Sequence, residues 1–217
     1  MTVLQVLQAT TAYFQKREIE SPRLNAEHLL AHLLGLKRIE LYMEFERQLA
    51  EAELAPLREL VRRRGQREPL QHLLGSVEFC GRTFVCDKRA LVPRPETEEL
   101  VELVKSTVAK STAKILDLGT GSGVIALSLA SALPDATVHA CDISPDALAL
   151  ARENAARLGL AERVQFIESD LLLSVADVYD VIVANLPYVP ESDRATLSRE
   201  VLHDPALALF GGADGEQ

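Results

Sequence analysis

The hydrophobic positions change period twice along this chain. Up to about residue 75 they recur at helical spacing: Val3, Val6, Leu7 and Phe14 form one stripe, and Leu29, Leu30, Leu33 and Leu34 another. Ser21-Pro22 predicts the start of the second helix, with Ser as N-cap and Pro at the first position, and Gly35 stands where a C-terminal cap would sit. A third helix is predicted from about Glu51 to Arg64, its basic end suiting the helix dipole. Beyond it the pattern shortens. Val77, Phe79, Phe84 and Val85 flank Cys80-Gly81-Arg82, which predicts a hairpin linking the helical part to the rest of the chain. Two prolines around Arg94 then make a stiff, extended entry to a helix through Val101, Leu103, Val104 and Val108. From Lys114 short apolar runs alternate with helical stretches. Strands are predicted near 114–118, 137–141, 163–168 and 178–184, and helices near 122–133 and 145–158, the latter closed by Gly159. That alternation is the pattern of an α/β domain with a parallel sheet and right-handed crossovers. The expected organisation is a helical domain over 1–75, a hairpin linker over 76–92 and an α/β domain over 93–217.

Ligands of such sheets bind beyond the carboxyl ends of the strands. Here those ends carry Asp117 to Gly123, Cys141-Asp142-Ile143, Ser169-Asp170-Leu171 and Asn185-Leu186-Pro187-Tyr188. In the first, glycines at alternate positions (Gly119, Gly121, Gly123) remove Cβ atoms where a ligand would approach. A dinucleotide fingerprint fails, because its sixth position is Val124 rather than Gly or Ala. The pattern Asp117-x-Gly119-x-Gly121-x-Gly123 instead resembles motif I of the class I S-adenosylmethionine-dependent methyltransferases, a Rossmann-like fold. It makes Asp117, Gly119, Thr120, Gly121, Ser122 and Gly123 candidates for binding that cofactor. Asp142 after the second strand can accept hydrogen bonds from a ribose diol, since Ser144 and Pro145 already supply a helix start. Asp170 can reach an adenine edge, and Leu171 can cover a face of the base.

The fourth strand end suggests the acceptor. The side-chain oxygen of Asn185 and the backbone carbonyl of Leu186 can together hold both hydrogens of a planar –NH₂ group. The nitrogen lone pair then faces an electrophile, and Tyr188 can pack over the planar group. Methyl transfer in that arrangement needs mainly alignment. Asn185, Pro187 and Tyr188 are therefore the expected catalytic residues, Asn185 also meets the cofactor, and Asn185 to Tyr188 bind the acceptor. No Ser/His/Asp set or metal-spaced cluster is visible, and no metal is expected. His28 and His32, one turn apart in the helical half, read as packed or solvated histidines.

Further stretches carry a closer resemblance. Glu68-Pro-Leu-Gln-His-Leu-Leu-Gly75, Val92-Pro-Arg-Pro-Glu-Thr-Glu98, the glycine loop, Asn185-Leu-Pro-Tyr188 and Asp204-Pro-Ala-Leu-Ala-Leu-Phe-Gly-Gly-Ala-Asp-Gly215 resemble the HemK/PrmC family of protein-(glutamine-N5) methyltransferases. The resemblance implies S-adenosylmethionine as donor and the Gly-Gly-Gln glutamine of peptide-chain release factors as acceptor, in support of translation termination. It implies that the helical domain helps dock the release factor, and it makes Glu96 and Thr97 further site candidates. Two departures stand out. The family usually has Asn-Pro-Pro-Tyr, whereas Leu186 here gives Asn-Leu-Pro-Tyr, which resembles the motif of rRNA adenine dimethyltransferases and makes rRNA adenine N-methylation one alternative function. The family also continues beyond its Gly-Gly-Ala-Asp-Gly stretch through a seven-stranded sheet. A strand order of 3-2-1-4 ending near residue 184 would leave the fourth strand as an edge. The expectation is a chain truncated after that strand, with weak cofactor binding and little activity, and a release-factor-binding fragment without catalysis is the further alternative.

Charge adds one distinction. Residues 1–90 hold 14 basic and 12 acidic side chains, while the remainder holds 9 and 20. A strongly acidic catalytic half argues against a broad nucleic-acid surface, so no direct nucleic-acid contact is expected. Arg62, Arg63, Arg64 and Arg67 form a basic cluster that reads first as a solvated helix end and second as a contact to an acidic or RNA-bearing partner. Cys80, Cys86 and Cys141 fit reduced thiols of a cytoplasmic protein. There is neither a signal-peptide pattern nor an apolar run near the roughly 20 residues that span a bilayer, so no membrane partner is expected.

Overall fold

Helix α1 (Val3–Lys16) starts at a reciprocal cap: Gln5 N–H donates to Thr2 Oγ1 at 3.2 Å, and Thr2 N–H donates to Gln5 Oε1 at 2.9 Å. The computed structural model describes residues 1–108 and 112–215, and the chain divides into two units, 1–74 and 75–217. In the first unit α1 packs on α2 (Pro22–Leu34), which is followed by a 3-10 turn (Arg38–Met43), α3 (Glu51–Gly65) and α4 (Leu70–Leu74). Val3, Leu7, Phe14, Leu29, Leu30, Leu41, Leu57 and Leu73 form its core. Gly35 closes α2 in the left-handed region, as expected. Ser21 is the residue before α2, but its side chain makes no cap bond. Its own φ is +47°, whereas a capping hydroxyl needs extended backbone. Asn25 ties this turn down instead, donating to Glu20 O and Ser21 O and accepting from Arg64 Nε at 2.7 Å. The basic cluster is bonded within the unit: Arg62 to Glu59, Arg63 to Glu68, Arg64 to Asn25 and Arg67 to the Arg17 carbonyl. Arg62 is exposed and Arg63 and Arg67 are half-buried, as a solvated helix end would be, whereas Arg64 is buried.

The second unit opens with the hairpin β1 (Ser76–Phe79) and β2 (Arg82–Val85). Its turn is two residues, Cys80-Gly81, both at positive φ, which matches the twist of the strands; Arg82 pairs with Phe79 as part of β2. The hairpin is not a separate linker. Phe79 and Phe84 are buried in the same core as the sheet, which makes it part of the α/β unit.

Helix α5 (Glu96–Thr107) precedes a parallel sheet. Among the described residues this sheet comprises β3 (Lys114–Leu118), β4 (Thr137–Asp142), β5 (Val164–Glu168) and β6 (Val181–Ala184) in the order β5-β4-β3-β6. In chain order that is the predicted 3-2-1-4. Strand β3 is buried over Ile115–Leu118, because it lies between two neighbours and is covered on both faces. Helix α6 (Val124–Ala132) is buried continuously from Val124 to Ala130 and packs Ile125, Leu127 and Leu129 into the core on the Ile115 side. Helix α7 (Pro145–Arg157) starts at Ser144, whose hydroxyl accepts Ala147 N–H at 3.2 Å, with Pro145 at the first position. Leu116, Leu118 and Cys141 meet Ile167, Val175, Tyr179 and Leu186 on the opposite face. After β6 the chain makes 3-10 turns at Glu191–Thr196 and Val201–His203 and a short helix α8 (Ala206–Leu209). It then returns beside β6 through a bridge between Val189 and Phe210.

Asn154 on α7 joins three elements. Its side chain accepts Val85 N–H at 2.7 Å and donates to Val85 O and to Ser122 O. Asn154→Ala leaves these backbone groups of β2 and the glycine loop without partners in a buried place. The expected loss in unfolding free energy is about 2 kcal/mol, measured by urea denaturation. A change within error of zero would show that water replaces the amide.

Candidate active site

The glycine loop is held from two sides by carboxylates. From beneath, Asp117 Oδ2 accepts the Thr120 hydroxyl at 2.6 Å and Ala126 N–H at 3.1 Å. From the end of β4, Asp142 Oδ2 accepts Gly121 N–H at 2.8 Å, while its Oδ1 accepts Ser144 N–H at 2.9 Å. The Cys141 carbonyl accepts both Gly119 N–H and Thr120 N–H at 2.9 Å. The loop is thus fixed before any ligand arrives. Gly119 is favoured by its φ of +72°, and a Cβ there would also lie 2.8 Å from Leu186 Cδ2, which would have to shift.

A cleft of about 250 Å³ opens above the loop. One half is lined by Gly119, Thr120, Gly121 and Ser122, by Asp142 and Ile143, and by Asp170 and Leu171. Leu171 holds a positive φ of +47°, kept there by the Ser169 hydroxyl, which donates to Leu171 O and accepts Ser174 N–H. The other half is lined by Arg94, Thr97, Asn185, Leu186 and Pro187, and by Leu207, Ala208 and Phe210 opposite. Asn185 Nδ2 donates to Thr97 Oγ1 at 3.5 Å. The wall at 92–97 is pinned to Asp204, which accepts Val92 N–H at 3.2 Å and Arg94 Nη2 at 2.7 Å. The wall at 205–211 is pinned to the strand end by Val189 N–H to Leu209 O and Gly211 N–H to Val189 O, both 3.1 Å.

The structure therefore brings together most of the residues singled out by sequence. Three stand apart. Asp117 is fully buried under the loop and does not line the cleft, because both donors it meets belong to the loop and to α6. Gly123 is the residue before α6 and packs against Ala151 and Leu127 rather than facing the cleft. Tyr188, expected to cover the acceptor, is 75% exposed and outside the lining. The lining takes Asn185, Leu186 and Pro187 in succession and stops before Tyr188. Glu98, in the same proline-flanked stretch as Thr97, accepts Cys80 N–H at 2.9 Å and so anchors the hairpin turn. The wall of Leu207, Ala208 and Phe210 is a feature that sequence reasoning missed. Asp204-Pro205 and the paired glycines after Phe210 are its only local signal, and Gly211 is needed because a Cβ there would meet the Pro187 carbonyl at 2.7 Å.

Known proteins share both units. Residues 5–75 match the PrmC N-terminal domain family model, and residues 96–212 match the methyltransferase small domain. The release factor glutamine methyltransferase of Chlorobaculum tepidum is 45% identical over 220 residues, covering 96% of this chain and 75% of that protein. The enzyme of the same name from Deinococcus radiodurans is 44% identical over 216 residues, 99% and 77% of the two chains. The chain belongs to the release factor glutamine methyltransferase family. Among solved structures, the hMettl16 catalytic domain in complex with a 3'UTR hairpin matches with a TM-score of 0.52 at 14% identity, over 76% of this chain and 58% of that one; the likeness is one of fold. This family member spans about three quarters of the length of the two relatives named. Among the described residues, no helix of it is long and apolar enough to cross a membrane.

Burial raises the Asp117 carboxyl well above its ordinary range, to about 6, against the pull of its two donors; its Oδ1 has no hydrogen-bond partner. The unfolded chain releases this proton near pH 4, whereas the folded chain keeps it to about pH 6. Between those values the folded state binds more protons, so stability falls as pH rises through the window and levels off above it. Asp117→Asn removes that slope. Relative to wild type, the variant is expected to gain about 1–3 kcal/mol between pH 4 and pH 7, read from urea unfolding at each pH without added cofactor. Parallel profiles for the two proteins would mean that Asp117 is ionised across the range.

Proposed function

We propose that this chain transfers a methyl group from S-adenosylmethionine to the side-chain amide nitrogen of the glutamine in the Gly-Gly-Gln motif of peptide-chain release factors. The observation that carries the reading is one cleft with two chemically distinct halves. A glycine loop braced by Asp142 lies on one side, and Asn185 stands at the end of β6 on the other. Family membership fixes which reaction such a cleft performs.

The cofactor half suits S-adenosylmethionine. Each Asp142 oxygen accepts one backbone N–H and retains a lone pair for a ribose hydroxyl. The site of a Cβ on Gly121 is open, with only Ala90 Cβ near it at 3.8 Å, so backbone can approach a ligand there. Asp170 is placed for a polar edge of the base and Leu171 for its face. Asp117 and Gly123 serve the cofactor through the shape of the loop rather than by contact. When bound, the cofactor supplies an electrophilic sulfonium methyl.

The acceptor half has to hold a neutral amide nitrogen in line with that methyl. Asn185 Oδ1 and the Leu186 carbonyl are the acceptors for its two hydrogens, and Pro187 shapes the wall beside them. No general base is needed to align the nitrogen; the resulting cation can lose its proton to solvent after transfer. The helical unit serves to dock the release factor. Protein rather than RNA as acceptor is supported by the acidic balance of residues 91–217, which hold 9 basic and 20 acidic side chains.

Incubation with methyl-labelled cofactor and a release factor is expected to label the Gly-Gly-Gln glutamine, identified by mass spectrometry. Label in rRNA alone would overturn the reading in favour of an adenine acceptor. Release factor bound without transfer would leave binding as the activity of these residues. Asn185→Ala is expected to reduce kcat by about 100-fold with cofactor affinity roughly unchanged. Equal losses in both would assign Asn185 to the cofactor instead.

A further inference from the structure

We propose that Arg94 and Asp204 are positioning residues for the acceptor, their ion pair locking together the three segments that wall the acceptor half of the cleft. The inference rests on the release-factor reading above. The Asp204 side chain is 1% exposed, and its two oxygens meet two parts of one distant stretch, Arg94 Nη2 at 2.7 Å and Val92 N–H at 3.2 Å. Neither residues 92–94 nor residue 204 lies in a helix or strand. Their separation is therefore set by these bonds rather than by a hydrogen-bonded ladder.

What the pair joins is a closed circuit of contacts. Asp204 runs directly into Pro205 and α8, whose Leu207 and Ala208, with Phe210, form one wall. That wall is bonded at Leu209 and Gly211 to Val189, four residues after Asn185. Asn185 reaches back to Thr97, which lies three residues beyond Arg94. Arg94 closes the circuit to Asp204. The cofactor half has its own supports: Asp117 under the loop, Asp142 beside it and Ser169 under Leu171. None of those bonds involves Arg94 or Asp204. Loss of the pair should thus loosen the acceptor walls and leave the cofactor half in shape. A buried carboxylate is costly without a cation, so its use at a loop junction rather than an apolar pair points to fixed geometry as its purpose. Burial pushes the Asp204 carboxyl upward, chiefly opposed by Arg94, so the charge of the guanidinium keeps the junction in place.

The experiment compares the 217-residue chain with Asp204→Asn, Arg94→Gln and Arg94→Lys. Asp204→Asn preserves side-chain shape and an acceptor for Val92 N–H, and Arg94→Lys preserves the charge. Three readouts are taken: kcat and KM for a release factor, Kd for S-adenosylhomocysteine by calorimetry, and deuterium uptake by mass spectrometry. In Asp204→Asn and Arg94→Gln, kcat/KM for the release factor is expected to fall by about tenfold or more with Kd for S-adenosylhomocysteine roughly unchanged. Uptake is expected to quicken over 92–97 and 185–189 but not over 119–123, and Arg94→Lys is expected to recover most of the loss. Cofactor affinity falling in parallel, or kcat/KM unchanged, overturns the proposal. Should the wild-type chain label no release factor, the functional reading falls and the exchange pattern still decides the clamp. Faster uptake confined to the two acceptor segments supports it, and unchanged or uniform uptake overturns it.

Discussion

The site depends on a backbone turn that cannot hold its own shape. Alternate glycines give the loop after β3 access to left-handed φ values at 119, 121 and 123, and the same freedom would leave it unfolded without outside bonds. Two carboxylates remove that freedom. Asp117, trapped in the core, gathers the loop and the first turn of α6 from below, and Asp142 takes the loop from the neighbouring strand. Burying Asp117 carries a desolvation penalty, visible in its raised carboxyl, and the return is a rigid floor for the cleft. Asp142 has a double part. It is both a brace for Gly121 and a group with lone pairs left over, so in the proposed reading cofactor recognition and loop geometry share one side chain.

The parts of this arrangement that are legible in sequence are those whose signals are local. A buried strand, a glycine turn and a helix start lie within a short span, and so do Asp142, Ser144 and Pro145. Alternation of apolar runs gives the strands and helices themselves, whereas the strand order 3-2-1-4 is what the methyltransferase resemblance implies. The parts that are not legible depend on contacts between distant segments. Nothing near Asp204 signals a bond to Arg94, 110 residues earlier. Asn154 sits mid-helix, where its residue type says little; only the fold places it against β2 and the loop. The hairpin reads as a linker because its own sequence shows a turn and four apolar residues, not what Phe79 and Phe84 are buried against. Tyr188 illustrates a different gap. Motif membership places it at the site, but the cleft takes the three residues before it and leaves Tyr188 exposed.

The division of the cleft into two separately supported halves has a chemical rationale. In a reaction governed by alignment, the electrophile and the nucleophile must each be held, and an error in either costs rate. The cofactor side is built on strand ends, which a parallel sheet fixes to its ladder. The acceptor side adds to one strand end, that of β6, the segments at 92–97 and 205–211, which need cross-links of their own. The 94–204 ion pair, the 97–185 contact and the 189–210 bridge are such cross-links.

Leu186 shows how far the site tolerates sequence change. Proline at this position would restrict φ; leucine does not. Yet Leu186 is held by other means, packed on Leu116, Leu118 and Cys141 with its Cδ2 over Gly119. Under the proposed function, residue 186 contributes its backbone carbonyl, and that is common to both residues. A side chain at Gly119 would displace Leu186 as well as strain a backbone at φ +72°. Loop and acceptor motif are therefore coupled through packing, and the form of the acceptor motif found here, Asn-Leu-Pro-Tyr, is compatible with an amide acceptor because the atoms that bind it do not belong to the altered side chain.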